Sequence, residues 1–146
     1  MSNQYSAAIV GCGMIAGQFQ DRTDLHTYSH AKALFQHPQF KHIGYFDTNA
    51  ESSTNLAKKF PGISFGSLDE MVTEMQPDLV SICSPDDCHY QQIIELLEHK
   101  YCPKIIFVEK PVCSNEAELA DIISRLKSNP AVKLFVNHSR RFDRSH

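Results

Sequence analysis

The amino-acid sequence predicts an α/β fold built on a doubly wound parallel sheet, and three observations predict it. Short β-rich apolar runs alternate with longer segments of helical spacing along the whole chain. The strand-like runs are nearly continuous in apolar residues, as central parallel strands are when both faces are buried. Helix-start and helix-stop residues punctuate the alternation, which makes a sheet covered on both faces the simplest packing.

The first strand is Ala7-Ala8-Ile9-Val10, ending at Gly11. A helix is expected next, interrupted by the polar stretch Gln18 to Ser29, resuming over His30 to Phe35 and stopping before Pro38. The second strand, His42 to Phe46, ends at Asp47, and residues 50–60 carry helical spacing through Ala50, Leu56, Ala57 and Phe60 before the stop Pro61-Gly62. Ile63-Ser64-Phe65 is a short strand. Ser67 and Glu70, three apart, read as a capping box that opens a short helix closed by Pro77. Leu79 to Cys83 is the fourth strand. A helix over about 87–100 follows, with Ile93, Ile94, Leu96 and Leu97 inward. Ile105 to Val108 is the fifth strand and runs into Glu109-Lys110-Pro111. Ser114 begins the last helix, with Ala117, Leu119, Ile122, Ile123 and Leu126 expected inward, and Val132 to Val136 is the sixth strand.

Composition removes several function classes. The 146 residues suit one domain, with 42 % hydrophobic and 21 % charged residues and a net charge of −3. Such a balance offers no nucleic-acid surface, and no basic run points to an anionic membrane. No apolar run reaches the roughly 20 residues of a membrane span. The polar start Met1-Ser2-Asn3-Gln4-Tyr5 does not read as a secretory signal. The five cysteines are odd in number and contain no Cys-x-x-Cys pair, so reduced thiols in a cytoplasmic protein are expected, with neither disulfides nor zinc. The eight histidines show no metal-ligand spacing, and no metal site is expected.

The chemistry gathers at three strand ends. Gly11-Cys12-Gly13-Met14-Ile15-Ala16 is the G-x-G-x-x-G/A pattern, with a strand before it and a helix expected after it. Gly11 permits the tight turn, Gly13 lets a pyrophosphate approach the backbone, and Ala16 allows close helix packing. Backbone N–H groups near Met14 and Ile15 would face the phosphates. Asp47 closes the second strand, where a carboxylate can accept hydrogen bonds from the adenosine ribose hydroxyls. A 2′-phosphate would meet its charge, and its neighbours Thr48 and Asn49 carry none, which favours NAD over NADP. Asp47 is also placed to cap the following helix. It stands 30 intervening residues after Ala16, against roughly 20 in the usual fingerprint, and the Gln18–Ser29 stretch accounts for the excess, as an insertion or an extended first helix. The third element, Glu109-Lys110-Pro111, puts an ammonium group on the same carboxyl edge of the sheet. Methyltransferases that use S-adenosylmethionine share the glycine turn and the strand-two acid but leave this element unexplained. The Lys110–Pro111 peptide is a candidate for the cis form.

With these pieces, the sequence resembles the N-terminal dinucleotide-binding domain of the Gfo/Idh/MocA oxidoreductase family, a Rossmann-type fold, over essentially all of residues 1–146. The resemblance rests on the glycine turn, His30, Asp47, Ser81-Ile82-Cys83-Ser84-Pro85 with His89, Glu109-Lys110-Pro111 and Val136 to Phe142. It implies that Lys110 contacts both substrate and nicotinamide ribose as the catalytic residue. It further implies that Cys83, Ser84, Pro85 and Asp86 line the cofactor groove, with His89 and Glu109 beside them; many relatives carry Asn where this chain has Asp86. His89 could equally cap or pack the early helix, and Lys110 taken alone could be a solvated strand-end lysine. The Arg140-Arg141 pair reads either as a bridge to a second domain or phosphate or as solvated charge. The implied reaction is hydride transfer between NAD and a hydroxyl of a sugar, cyclitol or sugar derivative, in either direction. The substrate domain of the family is expected to be absent from this chain, leaving a monomeric piece that binds NAD weakly and turns nothing over. A nucleotide-sensing module whose cofactor never reacts is the alternative.

Overall fold

A computed structural model describes residues 4–139. Its strands are β1 (Tyr5–Val10), β2 (Phe40–Phe46), β3 (Ile63–Phe65), β4 (Leu79–Ile82), β5 (Ile105–Glu109) and β6 (Lys133–Asn137). Its helices are α1 (His30–Gln36), α2 (Ala50–Lys59), α3 (Leu68–Met75), α4 (Asp86–Glu98) and α5 (Glu116–Ser128). The sheet is six-stranded and parallel in the order β3-β2-β1-β4-β5-β6, the doubly wound arrangement.

Two cores follow from the two faces of the sheet. Ala7 and Ile9 of β1 and Tyr45 of β2 face α1 and α2 and pack with Ala31, Leu34, Leu56 and Phe60. Ala8, Val10, Val80, Ile82, Ile106 and Val108 face α3, α4 and α5 and pack with Met71, Val72, Ile93, Leu96 and Ile122. Side chains that alternate along each strand therefore both end in apolar surroundings, which explains the continuous apolar runs. The helix starts are capped as their side chains require: Ser29 accepts from the Lys32 amide, Asn49 from Glu51, Ser67 from Glu70 and Asn115 from Glu118.

The interrupted helix expected after Gly13 is found, and one expectation, the inward face of α5, needs correction in part. A five-residue turn, Met14–Gln18, ends where Gly17 takes φ 151°, and α1 starts only at His30. A Cβ at Gly17 would lie 3.0 Å from Leu56 Cδ1 and 3.1 Å from Ala31 Cβ and Phe60 Cε2, so close packing of this turn depends on Gly17 as well as on the buried Ala16. In α5, Ile122 is buried, but Ala117, Leu119 and Ile123 are exposed. That helix turns Asp121 and Arg125 toward α4 instead: Asp121 accepts from the Tyr90 hydroxyl at 3.0 Å and from Arg125 Nε at 2.8 Å, and Arg125 also pairs with Glu98. Ile122 and Leu126 keep the apolar contact with the core, and the polar pair lies beside them.

A candidate dinucleotide cleft at the carboxyl edge

Strand register lines up the site. Phe46, Val10, Ile82, Val108 and Val136 lie across from one another on neighbouring strands. The residue after each is Asp47, Gly11, Cys83, Glu109 and Asn137: Glu109 and Asn137 pair across β5 and β6, and the Gly11 and Cys83 amides carry the ladder one step past the strands to the Phe46 and Val10 carbonyls, so the five stand in one row at the sheet edge. Four inter-strand steps of about 4.8 Å make that row roughly 19 Å long.

At its centre, Gly11 has φ 83°, and a Cβ there would lie 2.4 Å from the backbone N of Ser84. Only glycine allows β1 and the end of β4 to approach so closely. Gly13 differs: a Cβ built on it meets nothing within 4 Å. The space above Gly13 belongs to a cleft of about 530 Å3 bounded by the glycine turn, Asp47, Thr48, Ser84 and Pro85. Its volume and its mixture of apolar walls with a few polar groups suit a small-molecule ligand. A phosphate can therefore approach the Gly13 backbone without displacing protein atoms.

Asp47 joins two of the motifs physically. Its Oδ2 accepts from the Cys12 backbone N–H at 2.7 Å and its Oδ1 from Asn49 N–H at 2.8 Å. It does not cap α2; Asn49 does. Each carboxylate oxygen keeps a free lone pair for a further donor. Burial, with the Asp47 charge adding to it, pushes the Cys12 thiol up to about 12. Cys83 is raised as well, chiefly by burial. Neither is a nucleophile near neutral pH.

Toward β6 the row carries a buried polar chain. His30 Nε2 lies 2.7 Å from Glu109 Oε1, and His30 Nδ1 lies 2.7 Å from Ser81 Oγ. Asn137 Nδ2 donates to the same Glu109 oxygen at 2.6 Å. An ionised carboxylate only accepts, so Nε2 donates to it, and Nδ1 of a neutral ring is left to accept from the Ser81 hydroxyl. Burial opposes ionisation of Glu109, yet the His30 and Asn137 hydrogen bonds outweigh it and hold its carboxyl below the ordinary value. Ser81 is 1 % exposed, so this Ser-His-Glu alignment presents no nucleophile to a substrate. The chain tethers α1, β4, β5 and β6 beneath a second cleft of about 460 Å3, lined by Ile15, Tyr28, His30, Glu109 and Asn137. Ile15 borders both clefts.

Lys110 follows Glu109 and is exposed. No ion pair joins the two side chains among the described residues. The Lys110–Pro111 peptide is cis. His89 is buried, with Nδ1 2.7 Å from the Pro111 carbonyl and Nε2 2.9 Å from the Ser84 carbonyl, so it braces the ends of β5 and β4 together. Of the residues singled out in the sequence, Gly11, Gly13, Met14, Ile15, Asp47, Cys83, Ser84 and Pro85 border the first cleft. Ala16 packs behind it, His89 is enclosed by carbonyls, Asp86 is exposed at the start of α4, and Glu109 borders the second cleft. Sequence reasoning gave no role to Ser81, Asn137 or Tyr28. Ser81 and Asn137 were findable as same-face neighbours of Cys83 and Glu109 once the sheet order was known. Arg140, Arg141 and Phe142 lie outside the described residues. Among the described residues no cluster of three or more His, Cys, Asp or Glu is placed to hold a metal, and no helix is long and apolar enough to cross a membrane.

Residues 5–138 match the family profile described as an oxidoreductase family with an NAD-binding Rossmann fold. The chain belongs to the Gfo/Idh/MocA oxidoreductase family. This Gfo/Idh/MocA domain is 27 % identical to glucose-6-phosphate 3-dehydrogenase of Bacillus subtilis over 115 residues, which is 75 % of the chain and 32 % of that protein. It is 29 % identical over 138 residues to an uncharacterized oxidoreductase of Schizosaccharomyces pombe, covering 93 % of the chain and 34 % of that protein. The WlbA dehydrogenase from Bordetella pertussis, solved in complex with NADH and UDP-GlcNAcA, superposes with a TM-score of 0.79 at 22 % identity, over 96 % of this chain and 36 % of that one. The Gfo/Idh/MocA domain thus spans about a third of the length of the curated relatives it matches.

Proposed function

We propose that this domain holds NAD, in preference to NADP, for an oxidoreductase acting at a hydroxyl of a sugar, cyclitol or sugar derivative. The single row formed by Asp47, Gly11, Cys83, Glu109 and Asn137 carries the reading, because one elongated ligand can touch all five strand ends. Asp47 takes the adenosine ribose hydroxyls on its free lone pairs. A 2′-phosphate would face the same carboxylate. The lysine on that side, Lys59, is already engaged by the Gln18 carbonyl at 2.7 Å and stands 3.8 Å from Asp21. Gly13 and the turn after it receive the pyrophosphate. Ile15 separates the adenosine half from the nicotinamide half.

When bound, the nicotinamide ring supplies the hydride acceptor or donor. The remaining chemistry belongs to the chain. Lys110 holds the reacting oxygen and stabilises negative charge developing there. His30 and Asn137, through Glu109, and His89, through the Pro111 carbonyl, fix the backbone on either side of Lys110. The sugar-acting relatives, glucose-6-phosphate 3-dehydrogenase among them, support the substrate class. The rest of the substrate site is supplied from outside these residues.

Calorimetric titration of the chain with NAD, NADP and S-adenosylmethionine tests the cofactor. NAD is expected to bind most tightly, and tighter binding of either competitor refutes the assignment. In the full-length protein, Lys110→Ala is expected to abolish turnover and to leave NAD affinity nearly unchanged. A wild-type protein that binds NAD but dehydrogenates no sugar or cyclitol would instead be a sensing module.

A further inference from the structure

The segment Phe19–Ser29 is the excess between Ala16 and Asp47, and the function proposed above makes no use of it. It is built as a fixed wall. Gln20 is fully buried: its Nε2 donates to the His26 carbonyl at 2.6 Å, and its Oε1 accepts from Tyr28 N–H at 2.9 Å and from Ser29 Oγ at 2.8 Å. Lys32 of α1 is fully buried too, and its ammonium donates to the backbone carbonyls of Asp24 and of His26, the latter at 3.1 Å. A buried ammonium is tolerated only while hydrogen-bonded, so opening the loop would strand this charge. The ends of the loop are pinned where Gly17 packs on Ala31. The loop is therefore held from within by two side chains that in most proteins would face water.

What this wall presents is unusual for a surface loop. Tyr28 is 63 % exposed and lines the second cleft together with Thr27, Ile15 and Asn137. An aromatic side chain on a hydrogen-bonded backbone, lining the same cleft as Glu109 and Asn137, matches a ligand part that is both planar and hydrogen-bonding.

We propose that the Phe19–Ser29 loop is a binding element for the nicotinamide ring of the cofactor, with Tyr28 as its contact residue; this rests on the assignment of NAD to the carboxyl edge. The cofactor is gripped on the Asp47 side by the glycine turn and on the other side by this loop.

The test compares two probes on the 146-residue chain: NAD, and ADP-ribose, which lacks the nicotinamide. Dissociation constants are read from NMR titrations. Wild type is expected to bind NAD more tightly than ADP-ribose. Tyr28→Ala, at an exposed side chain that folding does not need, is expected to weaken NAD by about tenfold and to leave ADP-ribose within about twofold. Equal loss for both probes, or loss for neither, overturns the loop assignment while leaving the cofactor assignment standing. Failure of wild type to bind either probe overturns both.

Discussion

The two outer glycines of the turn look alike in sequence and should behave oppositely when changed to alanine. At Gly13 the backbone is extended, with φ −84° and ψ −155°, and a Cβ would meet nothing within 4 Å. Gly13→Ala therefore creates no clash and reduces the freedom of the unfolded chain, so folding stability is expected to stay within about 1 kcal/mol of wild type and to rise if it moves. The added methyl fills the space through which a phosphate approaches the backbone. A hydrogen bond to a charged group is lost, worth roughly 2 kcal/mol or about thirtyfold in the NAD dissociation constant. Gly11→Ala meets the reverse situation. A φ of 83° costs an alanine about 1–2 kcal/mol, and its Cβ would sit 2.4 Å from Ser84 N and 2.5 Å from Ser84 Cα, both backbone atoms that cannot step aside. Forced displacement adds about 1–3 kcal/mol, so a loss near 3 kcal/mol and a drop of roughly 10 °C in Tm are expected. Urea unfolding and calorimetric titration on both variants read the two effects separately. Gly13→Ala protein that is destabilised by more than about 2 kcal/mol, or that binds NAD as wild type does, refutes the reasoning.

Glu109→Gln tests the polar chain through pH. Because its carboxyl is held below the ordinary value of 4.5, ionised Glu109 stabilises the fold above that pH, and the contribution is lost as pH falls through the lowered folded-state value. The variant is expected to be about 1–2 kcal/mol less stable than wild type at pH 7, with the gap closing below about pH 4; a gap independent of pH in urea unfolding contradicts the assignment. The cysteines provide another check. Burial raises Cys12 and Cys83, so native protein treated with iodoacetamide at pH 8 should be labelled at Cys88, Cys102 and Cys113 before either of them. Mass spectrometry showing Cys12 or Cys83 labelled as fast as Cys113 would mean that the strand ends are open.

The strands were legible because burial on both faces writes itself as a continuous apolar run, and all six lie where the sequence puts them, give or take two residues at the ends. Gly11, Asp47 and Glu109 were legible because each is the residue at which such a run stops. Three features were not. The bonds from His30 to Ser81 and Glu109 join residues 51 and 79 positions apart, and only the order of strands in the sheet brings them together. Lys32 sits in the helical run His30-Ala31-Lys32-Ala33-Leu34 like any surface lysine, and nothing local shows that loop carbonyls enclose it. The inward face of α5 was only partly legible: Ile122 and Leu126 meet the core, while Leu119 and Ile123 are exposed and Asp121 and Arg125 pair with each other and with α4.

The common register of Asp47, Gly11, Cys83, Glu109 and Asn137 restricts how descendants of this gene can vary. Inserting or deleting a single codon within any of those strands would shift its terminal residue by about 3.3 Å and turn it to the opposite side of the sheet. Side-chain replacement is the milder route of change there. Length change is better borne in the connections, and the one between Gln18 and Ser29 adjoins the second cleft, so an insertion or deletion there would remodel that cleft and leave the alignment of the strand ends in place.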